Sequence, residues 1–304
     1  MSLTKYFSAI AFVTGCLTMA SQPLSAEKNI EANFVEFQLN DQKIAGTLTR
    51  PRNIKHPPVV LILHGMGGRR FGPPITNDTR SLFVRTAQLF AENGIASLAI
   101  STGGKDGSEG NFHNMTLERR TREALAAIDW LINQQEFDNR KISILGHSQG
   151  TLIAISTASR LSQEKIAKSI VLWAPQYDAL TTYRTSMGLK IYNQGLNAKP
   201  GEIVSWRGAG NRQRSFSSDF FRGLSKVNTL AEIASFPGRL LVITGKFDQW
   251  STPAIARKIQ AHHQGDNSAA QFYVGHRMGA SSGLEDVDKV VFHTLKWLKA
   301  ASKN

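Results

Sequence analysis

Cysteine is almost missing from this chain: Cys16 is the only one in 304 residues. No intramolecular disulfide can form, and no metal site built on thiolates can be assembled. Positive charge is plentiful but lacks organisation. Lys and Arg number 36 against 23 Asp and Glu, a formal net charge of +13. The cations are scattered or sit in short clusters (Arg69-Arg70, Arg119-Arg120, Arg212 and Arg214). Long Lys/Arg runs, aromatic-interleaved basic stripes and nucleic-acid-binding motifs are absent, so no nucleic-acid partner is expected. The excess reads as a solvated cationic surface, with a loose preference for anionic envelope polymers or acidic substrates left open. Internal repeats and low-complexity segments are lacking too, and the 41% apolar content is that of an ordinary globular chain.

Long apolar runs are confined to the N-terminus. One cation, Lys5, precedes the uncharged and mostly apolar stretch from Tyr6 to Ala20, and small residues Ser25-Ala26 end it before Glu27-Lys28-Asn29. Residues 1–26 therefore read as a secretory signal peptide cut after Ala26, too short and wrongly flanked for a membrane span. The rival reading is a lipobox, Val13-Thr14-Gly15-Cys16, with acylated Cys16 as a lipid anchor. The apolar run continues past Cys16 through Leu17 and Met19, which favours soluble export to a periplasm or the exterior.

What remains, residues 27–304, reads as one domain of alternating strands and helices. Asn33–Asn40 and Lys43–Arg50 alternate apolar and polar residues, the pattern of an antiparallel hairpin. Val59–Leu63, Ile95–Ile100, Ile170–Trp173 and Arg239–Thr244 are short apolar runs, expected as strands buried on both faces. Helices are expected over Thr79–Asn93, stopped by Gly94, and over Thr116–Gln134. Others follow from Pro253 behind a Ser251-Thr252 cap and over Glu285–Lys299, with a last strand at Gln271–Val274. This alternation predicts a mostly parallel sheet covered on both faces. It breaks from about residue 175 to 235, an aromatic-rich stretch (Tyr183, Tyr192, Trp206, Phe216, Phe220, Phe221) of weak periodicity. That stretch reads as a lid or cap inserted over the active face.

The central stretch is Lys141-Ile142-Ser143-Ile144-Leu145, then Gly146-His147-Ser148-Gln149-Gly150, then an Ala/Ile/Leu-rich helix. A Gly-x-Ser-x-Gly between strand and helix is the sequence context of a nucleophile elbow, with Ser148 at a strained turn. A serine hydroxyl needs a base, and the base an orienting acid. In the order Ser, Asp, His, the loops after late strands supply Asp248 and His276. Asp178 is a substitute acid; His147, His262, His263 and His293 read as structural histidines. Backbone donors for an oxyanion are expected from Gln149, which follows the nucleophile, and from Met66 in His64-Gly65-Met66-Gly67-Gly68. That glycine-rich loop lacks phosphate-cradle spacing, and the scheme calls for neither metal nor cofactor.

These residues, together with Gly107-Ser108-Glu109-Gly110-Asn111-Phe112 and Ala174-Pro175, resemble an α/β-hydrolase over roughly residues 30 to 300. They are similar in particular to bacterial cinnamoyl/feruloyl esterases and to related hydrolases of the S9 and S33 type. The resemblance implies a Ser148, His276 and Asp248 triad, with Met66 and Gln149 as oxyanion donors, cleaving a small-molecule ester beneath a lid. The loop Ser101-Thr102-Gly103-Gly104-Lys105 departs from the usual acidic or Arg-Gly lead-in. The expected activity is exported carboxylic ester hydrolysis through an acyl-enzyme. The alternatives are a serine peptidase or amidase of the same fold, and an occluded, non-catalytic protein that binds an envelope ligand.

Overall fold

The computed structural model describes residues 29–161, 167–208 and 211–300; the leader and Cys16 lie outside the described residues. The chain opens with the alternating hairpin, β1 (Ile30–Leu39) and β2 (Gln42–Pro51), paired in antiparallel register from Ile30 opposite Pro51 to Leu39 opposite Gln42. β2 lies antiparallel to β4 (Ala96–Ile100), and the remaining pairings of the main sheet are parallel. With β3 (Val59–Leu63), β5 (Ile142–His147), β6 (Ser169–Trp173), β9 (Arg239–Gly245) and β10 (Asn267–Phe272), one eight-stranded sheet runs β1-β2-β4-β3-β5-β6-β9-β10. This is the α/β-hydrolase fold.

Two apolar layers follow from the two-residue side-chain period of a strand. Along β3, Val59, Leu61 and Leu63 face one cluster, while Val60 and Ile62 face the other. Helices α2 (Leu117–Asn133), α3 (Gln149–Arg160) and α8 (Pro253–His262) cover the first layer, and α1 (Leu82–Glu92) and α9 (Leu284–Lys299) cover the second. Each fully buried Leu or Ile contributes roughly 1.5–3 kcal/mol, so the sheet centre is the rigid part of the molecule. Thr116 caps α2 by accepting from the Arg119 N–H at 3.0 Å. Gly94 follows the Asn93 C-cap of α1, and its φ of +82° is the left-handed conformation glycine adopts freely.

Three expectations differ in detail. The last strand is Asn267–Phe272 rather than Gln271–Val274; its Ser and Ala residues lack the β-branched signal, and pairing with β9 overrides propensity. Thr252 is the N-cap of α8 but makes no side-chain cap bond, and Ser251 Oγ donates instead to the Pro175 carbonyl at 2.7 Å. The weakly periodic stretch between β6 and β9 contains α4 (Ala179–Met187), α5 (Leu189–Asn197), the antiparallel hairpin β7 (Ile203–Gly208) and β8 (Arg212–Ser217), α6 (Ser218–Gly223) and α7 (Thr229–Ala234). These are too short for a long-range period to show in sequence. Its aromatic residues turn inward. Phe216, Phe220, Phe221, Tyr183 and Trp206 stack on one another at ring separations of 4.7 to 5.8 Å and merge with the sheet's first layer.

Candidate active site

β5 ends at His147, and α3 begins at Gln149, so Ser148 alone makes the turn between them. Its φ of 55° and ψ of −123° are strained for a residue with a side chain. The strain is held by the glycines on either side. A Cβ on Gly146 would sit 2.3 Å from the Gly150 carbonyl oxygen, and one on Gly150 would sit 2.2 Å from that of Leu63. The Ser148 N–H donates to the Trp173 carbonyl at 2.9 Å, which ties the turn to β6.

Asp248 and His276 lie in the loops after β9 and β10, at the carboxyl edge of the parallel strands, where open α/β sheets present their sites. Ser148 Oγ lies 2.8 Å from His276 Nε2, and His276 Nδ1 lies 2.8 Å from Asp248 Oδ2. Asp248 Oδ1 accepts from the N–H groups of Trp250 at 2.9 Å and Ser251 at 3.2 Å. The Asp248 side chain is fully buried. Burial alone would raise its pKa; the hydrogen bond and charge of His276 and the two backbone donors outweigh that and hold it below the ordinary carboxylate range. An ionised Asp248 only accepts, so His276 Nδ1 carries the proton and Nε2 is free to accept from Ser148.

The other histidines have separate partners. His147 Nε2 donates to the backbone carbonyl of His276 at 2.8 Å, since a carbonyl can only accept. Burial, with the neighbouring His276, pulls the His147 pKa down to about 4. His262 Nδ1 bonds the Lys258 carbonyl in the last turn of α8; His263 is buried and bonds the Gly238 carbonyl away from the helix end. His293 packs its edge against Phe272. Asp178 caps α4 by accepting from Thr181 N–H at 2.8 Å. None of these side chains joins the Ser148, His276 and Asp248 row.

The loop His64-Gly65-Met66 runs against the nucleophile: a Cβ on Gly65 would lie 3.2 Å from Ser148 Cβ. Gln149 is the first residue of α3, so its N–H has no partner within the helix. Sequence reasoning overlooked what holds this loop. Arg120 of α2 is buried and donates to the His64 carbonyl at 2.6 Å and to Gln149 Oε1 at 2.5 Å; Gln149 Nε2 then donates to Tyr183 Oη at 2.7 Å. Burial brings the Arg120 pKa down to about 10, still cationic at neutral pH. The signal was present: Arg120 shares the inward stripe of α2 with Leu117 and Ala124, where an arginine is out of place.

A cleft of about 390 Å³ opens over Ser148 and His276, lined by the 64–69 loop, Phe83, Arg212, Arg214 and Arg277. A larger groove of about 680 Å³ lies between the hairpin and α1 and contains none of the three aligned residues. Among the described residues no group of three or more His, Cys, Asp or Glu side chains could hold a metal ion, and no helix is long and apolar enough to cross a membrane.

Fold and nucleophile turn together define a serine hydrolase. The model of the prolyl oligopeptidase family matches residues 81–304, and the chain belongs to that family. Among solved structures it is similar to Est1E from Butyrivibrio proteoclasticus, seen with bound ferulic acid, at 19% identity and a TM-score of 0.70, covering 87% of this chain and 97% of that one. A putative hydrolase from Agrobacterium vitis S4 matches at 18% identity and a TM-score of 0.65, over 89% and 99% of the two chains. The acylaminoacyl peptidase of Pyrococcus horikoshii matches at 16% identity and a TM-score of 0.64, over 91% of this chain and 43% of that one. At these identities the likeness is one of fold. No curated protein matches the chain.

Proposed function

We propose that the protein is an exported carboxylic ester hydrolase working through an acyl-enzyme. The observation that carries the reading is the unbroken row Ser148 Oγ, His276 and Asp248, with both links at 2.8 Å. Ser148 attacks the ester carbonyl as His276 Nε2 takes its proton. The N–H groups of Gln149 and Met66 receive the developing oxyanion, helped by the positive end of α3. His276 returns the proton to the leaving alcohol, and water repeats the sequence to release the acid. Asp248 stays ionised and keeps the imidazole in the required tautomer. The insertion between β6 and β9 acts as the lid over this cleft. Export rests on the leader at residues 1–26.

A second reading, a serine peptidase or amidase, is favoured by the family itself and by the acylaminoacyl peptidase neighbour. The two are separated by turnover of p-nitrophenyl esters of increasing acyl length against matched p-nitroanilides, using residues 27–304. Ester turnover that falls by about 10³-fold or more in Ser148→Ala supports the esterase. Turnover of anilides alone moves the protein to the peptidases. No turnover and no labelling of Ser148 by a fluorophosphonate would leave neither reading standing.

A further inference from the structure

The cleft over Ser148 carries more positive charge than ester hydrolysis needs. Four arginines line it: Arg69, Arg212, Arg214 and Arg277. Arg69 is neutralised by Asp106 at 2.9 Å. Among the described residues no carboxylate lies within ion-pair distance of the other three. Asp248, the acid nearest the reaction, is buried behind His276 and committed to it.

Their placement is built into the fold. Arg212 and Arg214 are two apart on β8, so they share the strand face that also carries Phe216. Phe216 is buried in the aromatic cluster and meets Phe112 edge-on at 5.5 Å, while the Ser215 carbonyl bonds His113 Nδ1 at 2.7 Å. The hairpin is thereby fastened to the 112–114 turn, with its two guanidiniums beside the cleft. Arg277, one residue after the base, lines the same cleft. Holding Arg214 half-buried beside Arg212 is unfavourable in the empty protein: burial, then the like charge, both pull its pKa down. On an ordinary solvated surface such side chains spread apart into water. Here they line the cleft that also holds Ser148, and a guanidinium's planar fork suits a carboxylate or another oxyanion.

We propose that the substrate is an anionic ester, with a carboxylate or like oxyanion on its acyl or alcohol part held by Arg212, Arg214 and Arg277. This deepens the esterase reading and rests on it. The cations also attract such a substrate from solution, an effect that salt screens.

The test uses residues 27–304 and two matched pairs: p-nitrophenyl hydrogen adipate with its methyl ester, and 4-acetoxyphenylacetate with its methyl ester. In each pair only the remote carboxylate differs, on the acyl side in the first and the alcohol side in the second. The expected result is a kcat/KM about tenfold or more higher for the carboxylate in at least one pair. That ratio should shrink as salt is raised. In Arg212→Gln/Arg214→Gln and in Arg277→Gln it should fall toward one, and Arg214→Lys should retain part of it. Equal or lower kcat/KM for the carboxylate in both pairs, with Ser148-dependent turnover of the neutral esters, overturns the proposal and leaves the esterase intact. Should no ester be turned over, adipate binding to Ser148→Ala decides the site on its own. Binding that is lost in the Ser148→Ala/Arg212→Gln/Arg214→Gln protein supports the arginine site, and absence of binding overturns it.

Discussion

At the scale of single residues, His147 shows how a side chain outside the chemistry still governs it. It donates from Nε2 to the His276 carbonyl, and burial keeps the ring neutral by moving its pKa from 6.5 to about 4. The folded pKa lies below the unfolded one, so the unfolded chain takes the proton first as pH falls. Stability from this group is complete above about pH 6.5 and is lost progressively down to about pH 4, by on the order of 3 kcal/mol. The depressed pKa of Asp248 acts in the same direction at lower pH, its contribution fading as the carboxylate protonates. Urea unfolding between pH 7.5 and 4.5 should show the wild type losing more stability than His147→Gln, which keeps an N–H donor without a titrating ring. Parallel pH curves for the two proteins would show that His147 is not the titrating group. At this scale the sequence was informative where chain order constrains chemistry. Ser148, Asp248 and His276 each follow a recognisable strand. It was silent where partners are distant: Arg212 and Arg214 were visible as a pair, but nothing local said that β8 would carry them to the serine.

At the scale of elements, α2 does more than cover the sheet. Through Arg120 it holds the His64 carbonyl of the loop after β3 and the Gln149 side chain at the start of α3. These are the two segments expected to supply oxyanion donors. Arg120→Met keeps much of the volume and removes the donors, leaving two buried acceptors unpaired. A loss of about 2–4 kcal/mol in stability is expected. Since Arg120 positions donors that act on the transition state, kcat should fall about tenfold or more while KM changes little. Thermal melting and steady-state kinetics on a short p-nitrophenyl ester check both. An unchanged kcat would mean the loop is held by its own turn. The elements that sequence placed well are those with a strong period or a cap, such as the strands β3 to β6 and α2 behind Thr116. The hairpin β7–β8 and the six-residue helix α6 have no such signal; they exist because Phe216, Phe220 and Phe221 find one another in three dimensions.

At the scale of the whole molecule, the eight-stranded sheet with its two apolar layers ends where the parallel strands present Ser148 and the loops of Asp248 and His276 on one edge. The positive charge, diffuse in composition, is concentrated at this site because folding brings three arginines from two distant segments to one cleft. The leader proposed for residues 1–26 is the remaining whole-chain feature that bears on the proposed function, since it would decide where such a cleft meets its substrate. Small residues at Ser25-Ala26 and the apolar continuation past Cys16 argue for cleavage after Ala26. Full-length protein expressed in a bacterium with a periplasm should be recovered there with Glu27 as its first residue, read by intact mass. Cys16→Ser should leave that processing unchanged. Acylation at Cys16, with recovery in the membrane fraction and loss of processing in Cys16→Ser, would instead establish a lipid-anchored enzyme whose cationic cleft works at a membrane surface.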